Sequence, residues 1–439
     1  MAATRRALLI TAAGGAGLAA VALAACGASG DRGGAAGAGA ASGDVSGEIS
    51  FLNLGAADEV PIYDQVRDGF QARYPRGTVR IDLTPSGDLP QKVQALMAAG
   101  TPPDVFNVSY NEVGTYVAAS GLLELERTVQ QRAKELGVED FFPGEIDRYR
   151  YKGHLWAIPH SGGVQAIPFH GELFASAGVG RPAATWTWEE YLDAARRLTQ
   201  PAADPPRYGS TTGSWQSWVF TNGGRIVDDA GRRCLLGSAE AMEGLQFWQD
   251  LTWKHQVAPP AAALQAQNAE AMMRAGRLAM QVGLVRADVG RLVQGGAIRV
   301  DIARHPRKRA SKAQGVTNAA GVSKATKAPA LALAFAFFYS GDGQTMRLQA
   351  GRSIVPARRS VARTPAYLDQ VLPREQNQLF VDLKEAGDWL PYPEVIVPNY
   401  TEFNRIVTEE TTTLRDNTRA APQVARNLVT RLDALLATA

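Results

Sequence analysis

The chain has 439 residues and a net charge of +3, with 45% hydrophobic and 20% charged residues. That balance is ordinary for a globular protein and excludes a disordered or fibrous chain; so small a basic excess gives no reason to expect a nucleic-acid partner. The chain is also too long for one simple core, so two lobes are expected.

The N-terminus reads as an export signal. Arg5 and Arg6 are followed by residues 7–25, almost all Ala, Leu, Val, Ile and Gly, the layout of a charged start and an apolar stretch. Thr4-Arg5-Arg6-Ala7-Leu8-Leu9 resembles a twin-arginine signal, but its flanks depart from that pattern, so twin-arginine and general secretory export both stand. Gly14, Gly15 and Gly17 dilute the stretch and argue against a transmembrane helix. The stretch ends in Leu23-Ala24-Ala25-Cys26, which resembles the lipobox of bacterial lipoproteins, where the signal is cut and Cys26 takes lipid. Residues 27–47 then hold 17 Gly, Ala or Ser out of 21. Such a segment buries no core and acts as a tether with a reach of roughly 25 Å. The expectation is an extracytoplasmic protein, lipid-anchored to the outer face of the cell membrane through Cys26. Cys234, the one other cysteine, is left without a disulfide partner and reads as a half-buried strand residue.

From residue 48 the pattern alternates. Glu48–Gly55 reads as a strand, Tyr63, Val66, Phe70 and Tyr74 fall at helical spacing, and Thr78–Leu83 alternates as a second strand. Leu89–Ala99 is an amphipathic helix and Asp104–Val108 a short strand. This pace predicts parallel βαβ units, whose ligands sit beyond the carboxyl ends of the strands. Tyr151–Pro159 reads as a hairpin turning at Lys152-Gly153, and Val164–His170 as a strand. Thr187 with Glu190 makes a capping box for a helix through Leu198. Ala328–Tyr339 is apolar but too short to span a bilayer, and reads as a buried helix.

Several segments, taken in order, resemble one family: Ala98-Ala99-Gly100-Thr101-Pro102-Pro103-Asp104-Val105-Phe106, Ser120-Gly121-Leu122-Leu123-Glu124-Leu125, Tyr151-Lys152-Gly153-His154-Leu155-Trp156-Ala157-Ile158-Pro159, Thr185-Trp186-Thr187-Trp188-Glu189-Glu190-Tyr191, Gly276-Arg277-Leu278-Ala279-Met280 and Gly321-Val322-Ser323-Lys324. The chain resembles the extracellular solute-binding proteins of carbohydrate ABC importers, the maltose-binding-protein-like group. The resemblance implies an α/β, two-lobe, periplasmic-binding-protein-like (Venus-flytrap) fold with crossing hinge segments. It divides the chain into a signal (1–25), a tether (26–47), lobe 1 (48–165), lobe 2 (166–310) and returning segments shared by both lobes (311–439). It further implies a monomer that binds a sugar or oligosaccharide between the lobes and hands it to ABC permease subunits. Such a receptor is not an enzyme and needs no cofactor.

Site candidates follow from that frame. Asn53, Asn107, Tyr110 and Asn111 lie at or just past predicted strand ends, and an amide both donates to and accepts from a hydroxyl. Trp215 and Trp218 precede an Asn-Gly-Gly turn and offer flat apolar faces to a sugar ring; packing into the lobe core is the competing role, and Trp215 is the better candidate. The family has a glycine turn, often with an aromatic, after the Gly-Arg-Leu-Ala-Met strand. Here it reads Gly283-Leu284-Val285-Arg286, so Arg286 is either a cleft donor or a solvated helix-start residue. Asn318, Arg352 and Ser353 follow by the same family logic, and Trp389 and Tyr392 either wall the cleft or pack. Asp104 fits a structural role at the start of its strand better than a solute contact. His154, His160, His170 and Glu172 match no strong metal spacing, and Arg304–Lys312 reads as a solvated basic loop. The alternatives are a receptor for a non-sugar solute such as a polyamine or phosphorylated polyol, and a secreted glycoside hydrolase. Paired carboxylates for the latter are always available in principle, but no nucleophile elbow, metalloprotease helix or phosphate loop is present.

Overall fold

The computed structural model describes residues 45–437, apart from residues 86, 297, 353, 394, 395 and 398. The export signal, Cys26, most of the tether and Ser353 lie outside the described residues.

Strands β1 (Gly47–Leu54), β2 (Gly77–Thr84) and β3 (Val105–Ser109) are parallel, with β1 central. The helices Val60–Arg73 and Leu89–Ala98 cross between them. Ile49 and Phe51 alternate onto one face of β1, and Phe51 packs edge-on against Phe335 and Tyr339, with ring centroids 5.1 and 4.9 Å away. Both rings belong to the buried helix Pro329–Ser340, so the apolar run read as a core helix is one.

Next comes a hairpin, β4 (Arg150–Tyr151) and β5 (His154–Leu155), turning at Lys152 and Gly153 with φ of 52° and 84°. Two positive φ values in sequence are the requirement of a type I′ turn. The expected strand over Val164–His170 is in fact a junction. β6 (Ala157–Val164) belongs to the first sheet and β7 (Ile167–Phe169) to a second. The second sheet adds β8 (Tyr208–Ser210), β9 (Leu278–Met280) and β10 (Asp301–Ala303), in the order β10-β7-β9-β8. The chain then returns as β11 (Ala313–Val322), antiparallel to both β3 and β6, and as β12 (Trp389–Leu390), parallel to β11.

Each sheet has its own core. One gathers residues between Ile49 and Ile158 with Ala319–Tyr339; the other gathers residues between Ile167 and Ala303 with the C-terminal helices Tyr400–Arg415 and Ala421–Leu436. The chain therefore passes between lobes at Gln165-Ala166, along Arg304–Lys312, and after β12. Val164, Ala313 and Trp389, where these passages leave the first lobe, pack together. The close approach requires Gly315, since a Cβ there would lie 2.0 Å from the Trp389 ring. Arg148 covers that ring at 3.6 Å. Beside it, Lys384 and Glu145 form an ion pair with both side chains fully buried.

The capping box at Thr187 forms as expected: its hydroxyl accepts from Glu190 N at 3.2 Å and the Glu190 carboxylate accepts from Thr187 N at 2.7 Å. Cys234 departs from expectation. It is buried and forms an isolated bridge with Val227, while its N–H donates to Asp433 on the C-terminal helix. The basic run is not freely solvated either: Lys308 and Arg309 pair with Glu243, and Lys312 donates to the Gly387 carbonyl. No helix among the described residues is long and apolar enough to cross a membrane.

Candidate functional site

The parallel strands β1, β2 and β3 end together at Leu54, Thr84 and Ser109, where ligands collect in open α/β sheets. The antiparallel register of β11 sets Asn318 opposite Ser109. Asn318 Oδ1 accepts from Asn107 Nδ2 and Ser109 Oγ, each at 3.2 Å. Asn107 Oδ1 lies 3.0 Å from His160 Nε2 on β6. An amide oxygen only accepts, so this contact assigns the proton of His160 to Nε2. Burial, followed by the charge of Arg347, pushes the imidazole well below its ordinary value. His160 is therefore neutral, and its Nδ1 has no partner among the described residues.

The network continues beneath the sheet. The Tyr339 hydroxyl accepts from Asn53 Nδ2 at 2.7 Å and from Arg347 Nη1 at 2.6 Å, leaving Asn53 Oδ1 without a partner among the described residues. Buried orphan acceptors of this kind are costly in a folded protein, and they suit a ligand that donates through hydroxyls. Asn111 lies beside the Tyr400 hydroxyl, whose pKa burial raises, and its Oδ1 has no partner among the described residues. Next to it, burial pushes the Glu112 carboxyl up to about 7. Arg352 is ion-paired with Glu59, just beyond the end of β1.

Tyr110 ties this wall to the third crossing. Its hydroxyl accepts from the Tyr392 N–H at 3.0 Å and donates to the Tyr392 carbonyl. The Tyr392 ring meets Trp215 edge-on at 5.7 Å, and Trp215 opens the helix Trp215–Thr221 of lobe 2. At the first crossing Gln165 Oε1 accepts from Ser214 and Ser217, at 3.4 and 3.3 Å. Asn53, Asn107, Tyr110, Asn111 and Asn318 are thus gathered at the strand ends of the first sheet, Arg352 pairs with Glu59 beside them, and Trp215, at 6% exposure in the lobe 2 core, reaches this group through Tyr392.

Three expected residues fall elsewhere. Trp218 is fully buried, donates to the Thr212 carbonyl at 2.7 Å and packs edge-on against Trp188, so it is core. Arg286 is neither solvated nor in the cleft. Its guanidinium is buried, donating to Asn377 Oδ1 at 2.6 Å and to the carbonyls of Tyr367 and Gln370. Trp389 packs inside the hinge, as above. Asp104 cross-links strands as expected, accepting from Ser50 and from the Thr326 hydroxyl. Of the histidines, His170 serves the Met273 carbonyl at 2.7 Å and His154 lies beside Glu124. Gln165 and Ser109 are overlooked in the sequence, and His160, considered there only as a metal ligand, belongs to the amide network instead. A polar side chain inside the wholly buried strand Ala157–Val164 is the signal that marks His160.

The sequence profile of the bacterial extracellular solute-binding proteins matches residues 50–346, more than half of the chain. The chain belongs to that family. Among curated proteins it is similar to a putative binding protein of Brucella abortus, 26% identical over 137 residues, and to the sn-glycerol-3-phosphate-binding periplasmic protein of the same organism, 23% identical over 140 residues. Each match covers 31% of this chain and 32% of the relative, so the match spans about a third of the curated relatives' length. Solved structures of this family share the whole architecture. An ABC substrate-binding protein of Listeria monocytogenes in complex with cycloalternan superposes with a TM-score of 0.77 at 20% identity, over 89% of this chain and 99% of that one. The cyclic α-maltosyl-1,6-maltose binding protein of Arthrobacter globiformis gives 0.75 at 18% identity, over 90% and 100%. These likenesses establish the two-lobe α/β fold expected from the sequence.

Proposed function

We propose that this solute-binding protein captures a neutral sugar or oligosaccharide between its lobes and delivers it, unaltered, to the permease of an ABC importer. The observation that carries the reading is the pairing of a hydroxyl-matching wall (Asn53, Asn107, His160 and Asn318) with an indole, Trp215, on the opposite lobe. Amides and a neutral imidazole offer donors and acceptors without a charge, which suits polyhydroxylated solutes. Trp215 adds apolar area for the C–H face of a ring. Closure of two lobes on a solute needs only that the closed form bind it better than the open one. No reactive group is required, in keeping with a receptor rather than an enzyme, and the similar Listeria monocytogenes protein in complex with cycloalternan supports the same reading. Lipidation of Cys26 would hold the receptor near its permease and raise its effective concentration there.

Thermal shift against a panel of sugars, sugar phosphates, polyamines and amino acids tests the proposal. Stabilisation by one or more neutral carbohydrates, recovered chemically intact, is expected. A response confined to a cation, an amino acid or a phosphorylated polyol would overturn the sugar reading, and released hydrolysis product would overturn the receptor reading.

A further inference from the structure

The outer edge of the first sheet is a surface that the site above does not use. We propose that it is a homodimer interface. Strand β2 pairs antiparallel with the β2 of a second copy, about a two-fold axis through Ile81, so that the receptor is a weak dimer and not the monomer that the resemblance implies.

β2 stands at the end of the sheet order, and among the described residues β1 is its one strand partner. At the two ends of that pairing the Gly47 N–H donates to the Arg76 carbonyl at 2.9 Å and the Gly55 N–H to the Thr84 carbonyl at 3.0 Å. Successive residues of a strand turn their N–H and C=O to opposite edges, so the even-numbered residues of β2 bond to β1. Val79, Ile81 and Leu83 therefore present their N–H and C=O outward. Their side chains, with Val60 and Tyr63 of the helix Val60–Arg73, line a groove of about 310 Å³ beside that edge. Val60 is 45% exposed there. A sheet edge with unpaired backbone groups is a template for another strand.

The residues of this edge match it to its own copy. Residues 78–84 read Thr-Val-Arg-Ile-Asp-Leu-Thr, a pattern symmetric in residue type and complementary in charge about Ile81. In the two-fold pairing Ile81 meets Ile81 and Val79 meets Leu83, as hydrogen-bonded pairs that use the outward N–H and C=O groups. Arg80 then lies opposite Asp82 of the second copy, and Asp82 opposite its Arg80, at the non-hydrogen-bonded sites where Cα atoms approach to about 4.5 Å. Sliding the register by two residues sets Arg80 against Arg80 or Asp82 against Asp82, and like charges directly opposite are destabilising. In the monomer Arg80 and Asp82 pair with each other, with side chains 62% and 41% exposed, so each can exchange this neighbour for the one across the axis. A single edge buries little area, which makes the association weak and dependent on concentration. The candidate solute contacts lie on β1, β3 and β11, so pairing at β2 does not compete with them.

Sedimentation velocity of the full-length protein over a wide concentration range tests the pairing, with hydrogen exchange read on the same samples. The expected result is a dimer that grows with concentration. The Val79, Ile81 and Leu83 amides gain protection as it forms, while the Arg80 and Asp82 amides, bonded to β1, are protected throughout. Arg80→Asp and Asp82→Arg each set like charges opposite one another across the axis and should weaken the dimer about tenfold, with the monomer still folded by circular dichroism. Mixed in equal amounts, the two variants restore opposite charges at both sites and should pair with each other as tightly as the parent pairs with itself. A parent that stays monomeric, a dimer equally strong in both variants, or a mixture no tighter than its components overturns the edge pairing. Should a variant fail to fold, exchange in the parent decides alone, and outward amides whose protection ignores concentration overturn it.

Discussion

The two lobes bring unlike chemistry to the proposed cleft. The lobe 1 wall is a buried lattice of amides and an imidazole, each member fixed by another: His160 by Asn107, Asn107 by Asn318, Asn318 by Ser109. The lobe 2 wall is an aromatic supported by the crossing segment, Trp215 against Tyr392. A hydrogen-bonded lattice discriminates strongly, because a solute lacking one group leaves a buried partner unsatisfied. An aromatic face discriminates weakly and contributes area. Lobe 1 should therefore decide which solute binds, and lobe 2 how tightly.

The largest effect is expected where both walls depend on the same support. The Lys384–Glu145 pair lies beneath Trp389, where the passages between lobes leave lobe 1. Lys384→Met leaves the Glu145 carboxylate buried and unpaired, and should lower stability by about 3–5 kcal/mol in urea unfolding. The double change Lys384→Met with Glu145→Leu removes both charges and should recover most of that loss. If the single change is silent, the hinge does not depend on the pair.

At the proposed cleft, Asn107→Ala should have the larger effect of the two walls. It strips a partner from His160 and from Asn318 at once, at about 1–3 kcal/mol for each unsatisfied buried group. Calorimetry with the solute found by thermal shift should show a loss of about 100-fold, which is ~2.8 kcal/mol. A loss no greater than that of Trp215→Ala would invert the division of roles between the lobes.

Much of lobe 1 is legible in the sequence, because its signals are local. Ile49 and Phe51 alternate, Tyr63, Val66 and Phe70 recur at helical spacing, and both patterns persist in the fold. What is not legible is where the chain leaves one lobe for the other. Val164–His170 reads as a single strand because burial continues through the break, and only the switch of pairing partners from β11 to β10 and β9 reveals the crossing. The same holds for single side chains. Arg286 is buried by Tyr367 and Asn377, some 80 to 90 residues later in the chain, and no local pattern announces that. His160 was weighed against metal spacings, whereas its role follows from Asn107 on a strand it never touches in sequence.

Titration separates lobe 1 from the crossing segments. His305, on the second crossing, is buried with neither ring nitrogen partnered among the described residues, and burial pushes it down to about 4. Below pH 6.5 the unfolded chain takes up this proton and the native one does not, so stability falls by about 1.4 kcal/mol per pH unit until pH 4. Glu112, beside the lobe 1 wall, acts in the opposite sense. Burial raises it from 4.5 to about 7, so the unfolded chain loses a proton that the native chain keeps, and stability falls as pH rises from 4.5 to 7. His305→Gln should raise stability at pH 5 relative to pH 8, by up to about 2 kcal/mol. Glu112→Gln should flatten the opposite limb. Urea unfolding at the two pH values reads both, and unchanged profiles would show that these groups are hydrated in the native state.

Trp215→Ala has the smallest expected effect on binding, while the loss of a nearly buried ring from the lobe 2 core should lower stability by about 3–5 kcal/mol. The ring is nearly buried and touches Tyr392 by its edge, but the Tyr110–Tyr392 hydrogen bonds that hold the crossing do not involve it. The helix it opens stays anchored by Trp218 in the core. Affinity should fall about tenfold, ~1.4 kcal/mol, with the order of preference among sugars unchanged, because the lobe 1 lattice that sets that order is untouched. The converse pattern, a reordered preference at similar affinity, would place discrimination on the aromatic wall and reduce the amide lattice to structural support.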